Sequence, residues 1–104
     1  MPIIYHITTA EAWNNALASG QYEAPSLKEE GFIHCSEAYQ VHNILQRYFA
    51  GQNNLVKLII DTGKLENQYV QEWSPTVKDT FPHIYGTINT SAVIAVEPLR
   101  QEAV

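Results

Sequence analysis

The order of the predicted secondary structure indicates a mixed α+β protein. Two helical segments fall in the first half of the chain, whereas the second half consists mainly of strand-like runs. The predicted order, β-α-β-α-β-β-β-β, does not alternate regularly between strands and helices, as parallel α/β proteins do. No linker, repeat or low-complexity stretch divides the 104 residues, so residues 1–104 are assigned to a single domain. Its motif-bearing core covers residues 3–98.

The chain begins with a predicted strand and a helix. Ile3–Ile7 is rich in β-branched and aromatic residues, which favour strands. Thr8 with Glu11 three residues later is a capping-box pattern, and it predicts a helix that ends at Gly20. The helix face predicted to be buried carries Trp13, Ala16 and Leu17.

A second strand and helix follow a predicted loop over residues 21–30. The strand is expected at Phe32–Cys35, and Ser36 is expected to be the N-cap of a helix over Glu37–Ala50. Apolar residues at helical spacing predict one buried stripe on this helix, formed by Val41, Ile44, Leu45, Tyr48 and Phe49. The residues expected to face solvent are Gln40, Gln46 and Arg47.

The second half of the chain predicts four extended segments. Leu55–Asp61 is typical of a buried strand, and Gln68–Trp73 is a further strand candidate. Phe81–Ile88 is expected to be extended, although Pro82 argues against a central position in a sheet at its start. Val93–Val96 is the last predicted strand.

Composition and charge exclude several functional classes. The net charge is −5 and the six Lys and Arg residues are dispersed, so we expect no nucleic-acid partner. The single cysteine, Cys35, excludes an internal disulfide and suits a reducing compartment. Because no apolar stretch is long enough to span a bilayer, we expect a cytoplasmic protein with no membrane partner. The oligomeric state stays open.

Three of the four histidines lie in apolar, strand-like surroundings. His6, His34 and His83 each flank a loop or the start of a helix, where functional sites tend to form. A single histidine of this kind is more often a structural residue, because a buried imidazole requires hydrogen-bond partners. Three such residues in one small domain predict instead a shared polar cleft, with these histidines as candidate catalytic residues. His42, beside the helical stripe, is interpreted as a surface residue.

The neighbours of these histidines suit a planar, anionic ligand. Tyr5, Phe32 and Tyr85 lie within two residues of a histidine, and their rings are candidates to stack on nicotinamide or adenine. Thr8 and Ser36 stand at predicted helix N-termini, where free amides favour phosphate-bearing ligands. The alternative role of the aromatic residues is core packing.

Metal and thiol chemistry remain weaker alternatives. Structural zinc sites usually contain a close ligand pair, whereas His34 and Cys35 are adjacent and point to opposite faces of a strand. We therefore expect no bound metal. Cys35 has the residue type of a nucleophile, but a buried, inert thiol is the favoured interpretation. The glycine-rich motifs of nucleotide-binding loops and of α/β-hydrolases do not occur.

Four segments resemble a small bacterial family known as "domain of unknown function 952". They are Ile-Tyr-His-Ile-Thr at 4–8, Ala-Pro-Ser-Leu at 24–27, Glu-Gly-Phe-Ile-His-Cys-Ser at 30–36 and Phe-Pro-His-Ile-Tyr-Gly at 81–86. The resemblance covers residues 3–98, nearly the whole chain. It implies no settled activity.

The first of these segments is also similar, more distantly, to the first catalytic motif of the ADP-ribosyltransferase superfamily. Ile-His-Cys-Ser at 33–36 looks like the second strand of the RNA 2′-phosphotransferase branch of that superfamily. Together the two resemblances imply a split β-sandwich with two early helices, and His6 and His34 at the first two positions of an NAD-site triad. The third position, usually a glutamate, would fall near residues 83–85, which contain none. The implied function is binding or processing of NAD, ADP-ribose or a related nucleotide. A non-catalytic small-ligand or interaction module and a metal-dependent hydrolase are the alternatives.

Overall fold

The computed structural model describes residues 2–100 as a mixed α/β fold with three antiparallel sheets. The helices are α1 (Ala10–Ser19), α2 (Pro25–Glu30) and α3 (Val41–Tyr48). The strands are β1 (Ile3–Thr9), β2 (Gln21–Tyr22), β3 (Ile33–His34), β4 (Leu55–Asp61), β5 (Tyr69–Ser74), β6 (Asp79–Ile84), β7 (Ile88–Asn89) and β8 (Val93–Leu99). The predicted class is thus confirmed, with all three helices preceding β4.

The sheets have the strand orders β1-β4-β8, β2-β7 and β3-β6-β5. An isolated antiparallel bridge between Tyr5 and Ser36 joins the edge of the first sheet to the chain just after β3. Most of the core lies between the sheets and α1, where the fully buried residues include Ile33, Leu58 and Ile84. Among the described residues, no helix is long and apolar enough to cross a membrane.

Alternation along β1 directs its side chains to two different layers. Ile4 packs into the main core, whereas Ile7 joins a smaller cluster with Val41 and Leu45 of α3. The helical stripe is therefore buried in part as predicted. Tyr48, however, is exposed at the last residue of α3.

The first helix starts one residue later than the capping box predicted. Thr9 rather than Thr8 is the N-cap of α1, and its Oγ1 accepts a hydrogen bond of 3.1 Å from the Ala12 amide. The Thr8 side chain is instead buried with the core. The prediction that Leu17 is buried is also wrong, since 54% of its surface is exposed.

Residues 21–30 were predicted as a loop, and that prediction is wrong. They contain β2, which pairs with β7, and the short helix α2. Pro25 occupies the first turn of α2, where its missing N–H is not needed. Gly31 ends the helix in the left-handed conformation with φ of 88°, which glycine adopts without strain.

The segment before α3 departs from the predicted single helix. Ser36 is buried and its backbone pairs with Tyr5, so it does not cap a helix. A 3₁₀ turn, Ala38–Gln40, comes first and is closed by a reciprocal capping box between Glu37 and Gln40. Gln40 was expected in solvent but is buried, and its Nε2 donates to Asp79 Oδ2 at 2.9 Å and Thr80 O at 2.7 Å.

Pro82 occupies a central strand, contrary to the prediction. β6 lies between β3 and β5, and the Cys35 amide donates to the Pro82 carbonyl at 2.9 Å. Antiparallel residues paired in this way normally exchange two hydrogen bonds, but proline has no N–H to return. The ladder with β3 consequently ends at His34. The sheet tolerates the proline because its missing N–H lies opposite Cys35, just beyond the end of β3.

Candidate functional site

One face of the β3-β6-β5 sheet gathers histidine, glutamate and aromatic side chains, of which His34 and Tyr85 are exposed and His83 is buried. The residues are Phe32, His34, Glu72, His83 and Tyr85, and we call them the histidine–glutamate face. His34 of β3 lies directly opposite His83 of β6 in the antiparallel register, so both side chains project from the same side of the sheet. Their ring centroids are 5.0 Å apart and the ring planes are nearly perpendicular, at 81°.

Phe32 links the rings of this face into one aromatic patch. It stacks on His83 with a centroid distance of 4.0 Å and an interplanar angle of 14°. Its centroid also lies 4.9 Å from that of His34 and 5.5 Å from that of Tyr85. Tyr85 is 44% exposed, which leaves ring surface on which a planar ligand can stack.

Glu72 supplies a carboxylate to this face from the neighbouring strand. Its Oε1 accepts hydrogen bonds from His83 Nδ1 at 2.8 Å and from the Tyr85 hydroxyl at 2.5 Å. The bond from Tyr85, and then that from His83, lower the pKa of Glu72, while the same carboxylate raises the pKa of Tyr85. Glu72 is therefore an anion at neutral pH.

Glu72 was not predicted from the sequence, because the glutamate was expected next to His83 in the chain, near residues 83–85. The pairing of β5 with β6 sets Phe81 opposite Glu72 and His83 opposite Val70. Glu72 and His83 are therefore diagonal neighbours on one face, within reach of long side chains. The sequence did predict a strand at Gln68–Trp73. Without the register between that strand and the strand of His83, however, the sequence could not show which of its residues lies beside His83.

Both histidines of this face, the exposed His34 and the buried His83, are oriented by carboxylates. His34 Nε2 donates to Glu30 Oε2 at 2.8 Å, in the same way as His83 Nδ1 donates to Glu72. A histidine held by one N–H presents its other nitrogen as a proton acceptor when neutral. No buried side-chain nitrogen or oxygen within residues 2–100 lacks a hydrogen-bond partner, so the unpaired Nε2 of His83 reaches solvent. The face thus combines proton acceptors, a carboxylate and aromatic rings.

His6 lies behind this face rather than on it. Its Nδ1 donates to the His34 carbonyl at 2.6 Å, and its Nε2 lies 2.9 Å from the Tyr22 hydroxyl. That hydroxyl is also hydrogen-bonded to Thr8 Oγ1 at 2.8 Å. Burial lowers the pKa of His6 to about 4, despite the opposing effect of the bond to His34, so the ring is neutral at pH 7. His6 therefore braces the backbone of β3 at His34.

The other predicted ligand residues are divided between the face and the interior. Phe32 and Tyr85 belong to the histidine–glutamate face. Tyr5 lies on the side of β1 that packs against α3, with Lys57 Nζ at 5.3 Å from its ring centroid. Thr8 and Ser36 are buried. The structure therefore does not bring all three histidines to one open cleft, and a ligand contact by these interior residues stays a prediction.

Cys35 lies on the opposite side of β3 from His34, as its position next to His34 predicted. It is buried in the main core, and burial raises the pKa of its thiol. His42 is exposed on α3. Across residues 2–100, no three His, Cys, Asp or Glu side chains are grouped so that they could hold a metal ion.

Fold and face together define a small antiparallel α+β protein with two carboxylate-oriented histidines, the exposed His34 and the buried His83. The chain belongs to the family described as "Protein of unknown function (DUF952)", which matches residues 7–96. The first resemblance noted in the sequence is thereby confirmed. None of the curated proteins matches the chain at a significant level.

Solved structures of one bacterial protein share the fold. The crystal structure of protein CC0527 from Caulobacter crescentus is similar to this chain at 31% identity and a TM-score of 0.88, covering 97% of this chain and 89% of CC0527. The solution NMR structure of CC0527 is similar at 30% identity and a TM-score of 0.79, covering 99% and 89% of the two chains.

Proposed function

We propose that this protein binds NAD, ADP-ribose or a related nucleotide over the histidine–glutamate face and cleaves the nicotinamide–ribose bond of NAD. The observation that carries the proposal is Glu72, a carboxylate held between His83 and Tyr85 at 2.8 and 2.5 Å. The sequence resemblance implied a glutamate near residues 83–85, and Glu72 fills that role from the adjacent strand. A split β-sandwich of the ADP-ribosyltransferase type and a cytoplasmic location belong to the same proposal.

Binding would use the aromatic rings and the free oxygen of the carboxylate. Glu72 engages both neighbours through Oε1, so Oε2 is available to accept a hydrogen bond from a ribose hydroxyl. The exposed ring of Tyr85 and the partly exposed ring of Phe32 would stack on nicotinamide. His34, held by Glu30, would orient the ligand through its second nitrogen.

Cleavage would proceed through a positively charged ribose. The bond between C1′ of ribose and the nicotinamide nitrogen breaks, and its electron pair stays on nicotinamide, which becomes neutral. The Glu72 carboxylate stabilises the positive charge that develops on ribose. A water oxygen then bonds to C1′, and its proton passes to His83 Nε2. The products are nicotinamide, ADP-ribose and one proton.

His6 has a positioning role in this proposal, not a direct contact with the ligand. Both of its ring nitrogens have protein partners, one of which is the His34 carbonyl. Its contribution would be to hold β3 so that His34 faces His83. Loss of His6 should therefore weaken the fold as well as the site.

The second candidate is a binding module without turnover. One observation favours it: in the described part of the chain, no Lys or Arg forms a hydrogen bond or ion pair with a residue of the histidine–glutamate face. A diphosphate would therefore rely on backbone amides or water rather than on cations.

The proposal is tested by measuring binding and nicotinamide release side by side. NMR titrations of the labelled protein with NAD, ADP-ribose and nicotinamide should shift resonances of Phe32, His34 and Tyr85. Chromatography of the NAD reaction should show nicotinamide, and Glu72→Gln should reduce its rate by about 10²–10³ with binding retained. Glu23→Gln, an exposed carboxylate outside the face, is the matched control and should leave the rate unchanged.

Three outcomes separate the candidates. Binding without nicotinamide release rejects the enzyme and leaves the binding module. No binding of any of the three ligands rejects both. A stoichiometric metal ion in the purified protein, required for activity, would instead support the third alternative, a metal-dependent hydrolase.

A further inference from the structure

Strand β5 is an unprotected sheet edge. It is the outer strand of the order β3-β6-β5, and within residues 2–100 it pairs only with β6. Native proteins usually protect such edges with proline, lysine, very short strands or a covering segment. β5 runs for six residues, Tyr69–Ser74, with neither proline nor a basic residue.

The other sheet edges carry such protection. β8 contains Pro98. β3 is two residues long. β1 is tied to the neighbouring chain segment through the bridge between Tyr5 and Ser36. This contrast singles out β5.

The hydrogen-bond pattern identifies the backbone groups that β5 leaves open. The Tyr85 amide donates to the Gln68 carbonyl at 2.9 Å, so even-numbered residues of β5 exchange bonds with β6. The position of Pro82 is consistent with this pattern. Its carbonyl accepts a hydrogen bond from the Cys35 amide on the β3 side of β6, and so it faces away from β5. The amides and carbonyls of Tyr69, Gln71 and Trp73 therefore point away from the sheet.

Large apolar side chains accompany this open edge. Trp73 is 60% exposed and Val70 is 37% exposed, on opposite faces of the strand. An open strand edge that carries exposed apolar side chains promotes pairing with another strand. The edge is thus suited to another extended strand.

We propose that β5 pairs antiparallel with β5 of a second copy of this chain, around a two-fold axis at Gln71. A two-fold axis perpendicular to the sheet leaves each side chain on the same face in both copies. Residues that lie opposite each other across the axis must therefore both be odd-numbered or both be even-numbered. Centring on Gln71 pairs the open backbone of Gln71 with that of the partner's Gln71. It also pairs Tyr69 with the partner's Trp73, and by symmetry Trp73 with the partner's Tyr69.

The strand is self-complementary in this register. Tyr69 and the partner's Trp73 form an aromatic cross-strand pair, which is among the favourable ones in antiparallel sheets. Val70 lies opposite the partner's Glu72. Centring on Glu72 instead would set two carboxylates opposite each other and align fewer open backbone groups, and Glu72 is the only charged residue of β5. The sequence of the edge therefore favours a second copy centred on Gln71.

Pairing would also extend the candidate site. Two three-stranded sheets would join into one sheet of six strands, with both histidine–glutamate faces on the same side. The partner's Val70 would lie next to Glu72 and add an apolar wall beside its carboxylate. The proposal does not rest on the ligand or on catalysis.

A proline substitution at the axis gives the sharpest test. Gln71→Pro removes the outward N–H and leaves the hydrogen bonds between β5 and β6 intact, because proline is tolerated at outward edge positions. Gln71→Ala is the matched control: it loses the same side-chain bond, from Nε2 to Glu37 Oε2 at 2.7 Å, but keeps the N–H. Trp73→Lys is a second variant, which places a charge on the edge without altering the backbone.

Sedimentation equilibrium over a wide range of protein concentrations measures the dimer dissociation constant, and circular dichroism checks folding. We expect the wild type and Gln71→Ala to dimerise, and Gln71→Pro and Trp73→Lys each to raise the dissociation constant at least about tenfold. A wild type that stays monomeric at every concentration overturns the proposal. So does a dimer that persists unchanged in Trp73→Lys, because it must use another surface.

Discussion

The buried histidine His6 should make the stability of this protein depend on pH. Burial lowers its pKa from an ordinary value of 6.5 to about 4 in the folded protein. In the unfolded chain the ring is free to take up a proton at its ordinary pKa. Between these two values the unfolded state binds more protons than the folded state, so the free energy of unfolding rises with pH. The contribution is fully present above pH 6.5 and is lost as the pH falls towards 4.

The magnitude follows from the two pKa values. Each pH unit between them corresponds to about 1.4 kcal/mol, so the complete effect is about 3.5 kcal/mol. Between pH 7 and pH 5 the expected loss from His6 alone is about 2 kcal/mol. This is a large share of the stability of a typical small domain, which is about 5–15 kcal/mol.

Urea unfolding of the wild type and His6→Asn at a series of pH values measures the contribution of His6 to the pH dependence of the free energy of unfolding. Asparagine keeps a donor near the His34 carbonyl but does not titrate, so His6→Asn should be less stable at pH 7 and should show a shallower pH dependence. His42→Asn, at an exposed histidine, is the control and should retain the wild-type slope. Equal slopes for the wild type and His6→Asn between pH 5 and pH 7 would refute the argument that His6 is neutral and buried.

Two further predictions concern the packing of α3 and the absence of a nucleic-acid partner. Leu45→Ala should lower the free energy of unfolding by about 2–5 kcal/mol because Leu45 is buried, whereas Ile44→Ala should cost about 1 kcal/mol because Ile44 is half-buried. Equal losses in urea unfolding would contradict this assignment. In filter binding, RNA and DNA should show no salt-sensitive affinity, because the net charge is −5 and its six cations are dispersed. Sub-micromolar binding that weakens with salt would reverse this conclusion.

Strands with strong apolar signals could be predicted from the sequence almost to the residue. Leu55–Asp61 was predicted and is β4 without change. Its side chains are buried or half-buried along the whole strand, so composition alone marks it. The first strand was also predicted, although it extends two residues beyond Ile7 to Thr9.

The helix N-cap and the burial of Gln40 were harder to predict from the sequence, because each depends on contacts with distant residues. Thr8 and Thr9 are adjacent, and only the tertiary contact of Thr8 with Tyr22 decides which one caps α1. Gln40 carries a side chain that usually faces solvent, yet it is buried because Asp79 and Thr80 satisfy its amide. Such partners come from a strand about 40 residues away and leave no local pattern.

The candidate site also depends on partners that are distant in the sequence and leave no local pattern. His34 and His83 were correctly identified as unusual, but the carboxylates that orient them were not. Glu30 is four residues from His34, and Glu72 reaches His83 only because β5 and β6 form a hairpin with a particular register. A shift of that register by one residue would send Glu72 to the other face of the sheet. Residue types thus predicted the presence of a site, and strand register determined its composition.

Register also separates the roles of the three histidines. The side chain of His34 faces outward beside His83, while its carbonyl points inward and accepts a hydrogen bond from His6 Nδ1 at 2.6 Å. One residue of β3 therefore connects the buried network of His6 and Tyr22 to the exposed face. The bond from His6 adds to the pairing of β3 with β6 in fixing the position of this two-residue strand. Protonation of His6 places a charge in the core, so acid should disturb the exposed face through β3.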